Sequence, residues 1–235
     1  MYLHSKIFIT PGILVSNIIK ENPLIMLVIE NFGICDFPKG ISVSNLCKQN
    51  GINESLFIQI CNLHNGYFLD YSIEYSKEDL PEIIKYLQRS HLYYTREKYP
   101  IILSEIKKLY KETKLDILKI IEKYFEEYFK EVHDHMDYED KIAFPYFNSL
   151  IADQQSASTY SSETYREHHS DIESKLDALK ELFIEHIHFQ QPNPLRRKIL
   201  NDLSELEFEL NIHSHIEDMI LIPLVNKIEK GGIHG

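Results

Sequence analysis

Two stretches of this chain share one skeleton. "HMDYEDKIAFP" (135–145) and "HSHIEDMILIP" (213–223) each read His, three residues, Glu, Asp, one residue, Ile, two residues, Pro. A residue four positions along a helix lies one turn up, roughly 6 Å of rise, on nearly the same face. His135 with Glu139, and His213 with Glu217, therefore each offer a nitrogen and a carboxylate to one point. A single pair of this kind is usually a surface contact worth about 0.2–0.5 kcal/mol. Two copies, both in phase with an apolar stripe and both followed by D-x-I-x-x-P, call for another reading. Polar groups buried without partners cost roughly 2–7 kcal/mol each when neutral, and more when charged. Bound cations offset that cost, because carboxylates stay ionised and imidazoles stay neutral as ligands.

The elements that must carry these groups are four long amphipathic segments. The first spans about 80–109, with Leu80, Ile84, Leu87, His91 and Tyr94 on one face and a kink expected at Pro100. The second, about 114–150, carries Leu118, Ile121, Phe125, Tyr128, Val132, His135, Glu139 and Ile142 in alternating steps of three and four. The third opens at "STYSSET" and carries Tyr165, His169, Ile172, Leu176, Leu179 and Phe183. The fourth opens at "PNP", with Asn193 as N-cap and Pro194 in the first turn, and carries Ile199, Leu203, Leu206, Leu210, His213, Glu217, Ile220 and Leu224. Four such helices with short connections predict an all-α, up-and-down four-helix bundle. The matching blocks on the second and fourth helices point to a two-helix duplication with approximate twofold symmetry.

His91 and His169 add one nitrogen from each remaining helix, so four imidazoles and two carboxylates converge. The three-four rhythm extended back from Ile172 reaches His169 and passes over its neighbour His168, which stays the alternative. That donor set suits two ions better than one. We expect His91 and His135 on one ion, His169 and His213 on the other, and Glu139 and Glu217 bridging. Histidine and carboxylate without thiolate points to iron or manganese before copper. Such a pair sits about 3.5–4 Å apart with positions open to an exogenous ligand. His133 and His215 point elsewhere on their helices, and His186 and His188, beside "QQPNP", read as solvated.

Before the bundle, residues 1–70 read as a small helical domain with turn signals at "ENP", "FGICDFPKG" and "KQNGINES", and 71–79 as a linker to a second domain at 80–235. The net charge of −11 argues against phosphate-driven nucleic-acid binding and against an anionic membrane surface. "SVSNLCKQNGINESLFIQIC" has a helix-turn-helix outline with Gly51 at the turn, but its second helix lacks Lys and Arg; it reads as a docking or packing domain. Three cysteines without CxxC spacing fit a reducing cytoplasm, and Cys35, Cys47 and Cys61 read as small core residues. Apolar runs near the N-terminus are broken by Lys6, Lys20, Glu21 and Pro23 before reaching signal-peptide or membrane-span character.

The H-x3-E-D-x-I-x-x-P blocks, with His91 in "YLQRSH" and His169 in "EHHSDIE", resemble the hemerythrin-like domain of the iron-sulfur cluster repair family of di-iron proteins. The resemblance covers roughly residues 80–230, and "IIKENPLIMLVIENFGI" with "SVSNLCKQNGI" extends it to the small domain that precedes the bundle in that family. It implies two non-heme iron ions, oxo-bridged, bound by His91, His135, Glu139, His169, His213 and Glu217. It implies a role in restoring iron-sulfur clusters damaged by nitric oxide or oxidants, with iron-sulfur client proteins as partners; a homodimer is a further expectation, with the part of the small domain in it left open. Two departures stand out. The family's further histidine after the first helix is replaced by carboxylates only, Glu105 or Glu112, and its adjacent cysteine pair is here Cys35 followed by Asp36. The competing functions are a module that binds or senses dioxygen or nitric oxide, and a reductase of nitric oxide or peroxide. Ferritin-like oxidation fits less well, since only Glu185 with His188 has the E-x-x-H spacing.

Overall fold

The computed structural model describes residues 6–152, 160–168 and 174–231. It is all-α: no strand occurs among the described residues, and an isolated antiparallel bridge pairs Leu14 with Ser42. Two compact units emerge, Met1–Arg89 with His215–Gly235, and Ser90–Ser214.

The first unit begins with four short helices, α1 (Val15–Glu21), α2 (Ile25–Asn31), α3 (Val43–Asn50) and α4 (Glu54–His64). Their ends are set by side chains that satisfy exposed backbone groups. Ser42 Oγ accepts from the Asn45 N–H at 3.3 Å, and Asn53 Oδ1 accepts from the Leu56 N–H at 3.1 Å. Gly51, at φ 66°, supplies the left-handed residue that ends α3. Gly33, at φ 82°, takes a left-handed conformation that side chains rarely adopt, and a β-carbon there would displace the Arg89 guanidinium, 2.7 Å away. Val15, Ile18, Val28, Leu46, Leu56 and Ile60 are fully buried, and Phe32 packs between Phe57 and Tyr86. The stretch 71–79, expected as a linker, is tied down at both ends. Gln59 exchanges two hydrogen bonds with the Asp70 backbone, and Ser76 and Asp79 form a capping box. Cys47 and Cys61 are buried as expected, but Cys35 is exposed, so it is no core residue.

The second unit is the bundle. Its helices are the end of α5 (Leu80–Tyr93), α6 (Tyr99–Thr113), α7 (Ile117–Tyr138), α8 (Phe144–Ser149), α9 (Ser162–His168), α10 (Ser174–Glu185) and most of α11 (Pro194–Ile216). Lys114, at φ 58°, turns the chain between α6 and α7, and Asn193 caps α11 by accepting from the Arg196 N–H at 2.9 Å. The core interleaves Ile102, Ile106 and Leu109 of α6 with the predicted stripes of the other helices: Leu118, Ile121, Phe125, Tyr128 and Val132; Leu176, Leu179 and Phe183; Ile199, Leu203, Leu206 and Leu210. The buried Lys98 ammonium fastens this end of the first helix to α11, 2.8 Å from Asp202 and 3.0 Å from Glu205.

Among the described residues, three π turns interrupt the long helices, at Tyr94–Lys98, Glu139–Ala143 and Glu217–Leu221, the last leading into α12 (Ile222–Glu229). Each closes in the same way. The N–H of Tyr99, Phe144 or Ile222 reaches back five residues to the carbonyl of Tyr94, Glu139 or Glu217, and the next residue is Pro100, Pro145 or Pro223. Proline has no N–H and clashes with the carbonyl four residues back, so a wider turn ahead of it relieves the conflict while the helix continues. The extra residue shifts the helical phase. Ile142, placed inward by periodicity, is 47% exposed, whereas Ala143 and Phe144 are fully buried.

Candidate metal centre

The site is built where two of these π turns approach the bundle interior of the Ser90–Ser214 unit. His91 lies in the last turn of α5, just ahead of the Tyr94 π turn; His135 lies in the last turn of α7, and Glu139 opens the next π turn. His213 sits near the end of α11. His91, Glu139 and His213 are all buried, and donor atoms from the three lie within 4.8 Å of one another.

His91 Nε2 is 3.2 Å from His213 Nε2 and 3.2 Å from Glu139 Oε2. The other carboxylate oxygen, Oε1, faces His135 Nε2 at 3.1 Å and accepts from the Tyr165 hydroxyl at 2.7 Å. Glu139 therefore stands between two imidazole sets, one oxygen to each. The expected partition changes accordingly: His91 is paired with His213 across the bundle, and His135 takes the opposite side of the carboxylate. Helical spacing reports which face a donor occupies, not which donor it meets from another helix.

Outer contacts fix the rings. Ser90 Oγ lies 2.9 Å from His213 Nδ1, and Asp140 Oδ1 lies 3.2 Å from His91 Nδ1. Phe144 stacks on His91, and Tyr94 meets His213 edge-on. Sequence reasoning assigned no role in the site to Ser90, Asp140 or Tyr165. Asp140 carried a signal, being part of the repeated block, but its counterpart Asp218 is exposed, so the repeat alone does not distinguish them. Tyr165 stood on the third stripe with nothing to mark its hydroxyl.

The remaining expected donors divide. Glu217 is fully buried and opens the third π turn. His169 lies outside the described residues. Glu105 pairs with Lys198 and Glu112 is exposed, so neither joins the donors. His133, His186, His188 and His215 are exposed.

Burial works against charge on His91, but the Asp140 and Glu139 carboxylates outweigh it and raise the imidazole to about 9. Burial also disfavours charge on Glu139, yet His135 and His91 hold its carboxyl well below the usual range. Without a cation, a proton on His91 thus balances the Glu139 charge.

The donors fit a metal ion. His91 Nδ1, Glu139 Oε2 and Asp140 Oδ1 are buried without a well-aligned hydrogen bond despite their close neighbours. The 3.2 Å separations match the edges of a coordination polyhedron with metal–ligand bonds of about 2.0–2.2 Å. A helical bundle with inward histidines and carboxylates is a class of metal-binding scaffold. The hemerythrin HHE cation-binding domain matches residues 94–225, more than half of the chain, and the protein belongs to that family. The matched stretch contains His135, Glu139, His213 and Glu217 and begins three residues past His91. No curated protein matches the chain. No helix among the described residues is long and apolar enough to cross a membrane.

Proposed function

We propose that this protein is a non-heme di-iron protein of the iron-sulfur cluster repair type, which takes up iron and supplies it to clusters damaged by nitric oxide or oxidants. His91, His135, Glu139, His169, His213 and Glu217 would hold the pair. The observation that carries the reading is the placement of Glu139, whose two oxygens face His91 and His135 at 3.2 and 3.1 Å. A carboxylate so placed suits spanning two ions. Bound iron would supply redox capacity and coordination positions for a small ligand. The chain's part is to aim and neutralise: Ser90 and Asp140 orient the two facing imidazoles, Tyr165 holds one oxygen of Glu139, and Phe144 and Tyr94 pack against the rings.

The test is metal analysis of the purified protein, followed by incubation with an apo iron-sulfur protein. Two irons per chain that pass to the acceptor and restore its cluster absorbance support the reading. A stable iron pair that stays in place and binds nitric oxide or dioxygen reversibly would instead assign a binding module. Zinc, or no metal, would remove the di-iron reading.

A further inference from the structure

Tyr165 is 1% exposed, and its phenol is hydrogen-bonded to the central carboxylate of the cluster. Its ring begins a continuous train. Tyr165 meets Phe147 edge-on at 5.5 Å between centroids, Phe147 meets Tyr146 at 5.9 Å, and Tyr146 meets Tyr160 at 5.1 Å. Tyr160 lies 6.3 Å from Tyr138, whose hydroxyl donates to the Tyr160 oxygen at 3.0 Å. Tyr138, Tyr146 and Tyr160 are half-buried, so the train runs from the enclosed cluster to the solvent boundary. In a chain with 15 tyrosines and no tryptophan, phenol is the ring most easily oxidised by one electron. Phenylalanine would fill these positions equally well if packing alone were required, and a buried hydroxyl adds the need for a partner.

We propose that Tyr165, Phe147, Tyr146, Tyr160 and Tyr138 form a one-electron path that carries oxidising equivalents away from the buried metal cluster to phenols at the surface. The inference rests on the iron reading above and names its oxidant, a hydroperoxide. Hydrogen peroxide takes up two electrons and two protons and leaves as two waters. Each electron comes from a phenol along the path, and the proton of each terminal phenol passes to solvent. Two phenoxyl radicals then couple through ring carbons, so one peroxide and two tyrosines yield one dityrosine and two waters. The path spares the histidine ligands, which would otherwise meet the oxidising equivalent first.

The experiment loads the full chain with ferrous iron, measures iron content, adds hydrogen peroxide, and maps dityrosine and oxidised tyrosine by fluorescence and peptide mass spectrometry. Zinc-loaded protein gives the background from direct attack. The expected result is iron-dependent oxidation concentrated at Tyr138, Tyr146 and Tyr160, lost at unchanged iron content in the Tyr146→Phe/Tyr160→Phe double variant, and lost per iron bound in Tyr165→Phe. Tyr99→Phe, a buried tyrosine that shares no ring contact with the train, should keep the wild-type pattern. An unchanged pattern in Tyr165→Phe with its iron intact, or oxidation spread over tyrosines outside the train, overturns the path. Tyr165→Phe is read per iron bound because its hydroxyl also holds Glu139, and where that variant loses its iron the double variant decides alone. A wild-type chain without iron overturns both readings, and the initial metal analysis tells the two failures apart.

Discussion

His91 Nε2 and His213 Nε2 face each other across 3.2 Å although they are 122 residues apart in the chain. Two such nitrogens cannot both present lone pairs to one another without something positive between them. A proton or a metal ion satisfies that requirement, and the nearby Glu139 carboxylate welcomes either. Most of what can be measured on this site follows from the competition between the two.

Removing one donor should separate binding from folding. His213→Ala takes away one facing imidazole, and Glu139→Gln keeps the shape of the carboxylate while removing its charge. Both should lower bound metal to a small fraction of wild type while the helical circular-dichroism signal persists. Glu139→Ala should also destabilise the fold, by about 3–5 kcal/mol, because it breaks a buried ion pair and leaves Asp140 alone to balance protonated His91. Chemical denaturation alongside metal analysis checks both parts.

Metal uptake should depend on pH with a defined sign. In the metal-free chain His91 holds its proton up to about pH 9, against 6.5 for an unperturbed imidazole. A cation at Nε2 must displace that proton, so apparent affinity should rise about tenfold per pH unit below pH 9 and level off above it. Metal-free stability runs the other way. The pairing of protonated His91 with Asp140 and Glu139 is fully stabilising below pH 6.5 and is lost as pH rises through about 9. Chelator competition and urea melts across this range measure the two trends.

Asp140 touches the site through His91 Nδ1. Asp140→Asn should preserve the fold and weaken metal binding by about 10–100-fold, the usual range for a group that orients a ligating histidine. It should also lower the pKa of His91 in the metal-free chain, which nuclear magnetic resonance of the ring protons reads directly.

The phase shift at the second π turn makes a stability prediction that periodicity reverses. Ile142→Lys should change stability by no more than about 0.5 kcal/mol, because the side chain is half exposed. Ala143→Leu should cost about 1–3 kcal/mol, since Ala143 is fully buried and the surrounding core must move to admit the larger group. Urea midpoints of the two variants decide between the π phase and an uninterrupted α phase.

The stripes on the second and fourth helices made the bundle legible, and Ile199, Leu203, Leu206, Leu210, His213 and Glu217 are all buried where the three-four rhythm put them. That part depends on local geometry: one helix has one repeat, and the repeat assigns each side chain to a face. His135, Glu139 and His213 were legible for the same reason, as polar breaks in apolar stripes. What a donor meets across the interior is a different matter. His91 against His213, Ser90 behind His213, and Asp140 and Tyr165 on the donors they support all join separate helices, so helix packing decides them. The exposure of Ile142 was hidden too, because a proline announces that an α turn must yield but not that a π turn will absorb the conflict without ending the helix. The chain by itself determined which groups face inward; only tertiary packing determined which of them share a cation site, because proximity between helices has no counterpart in spacing along one.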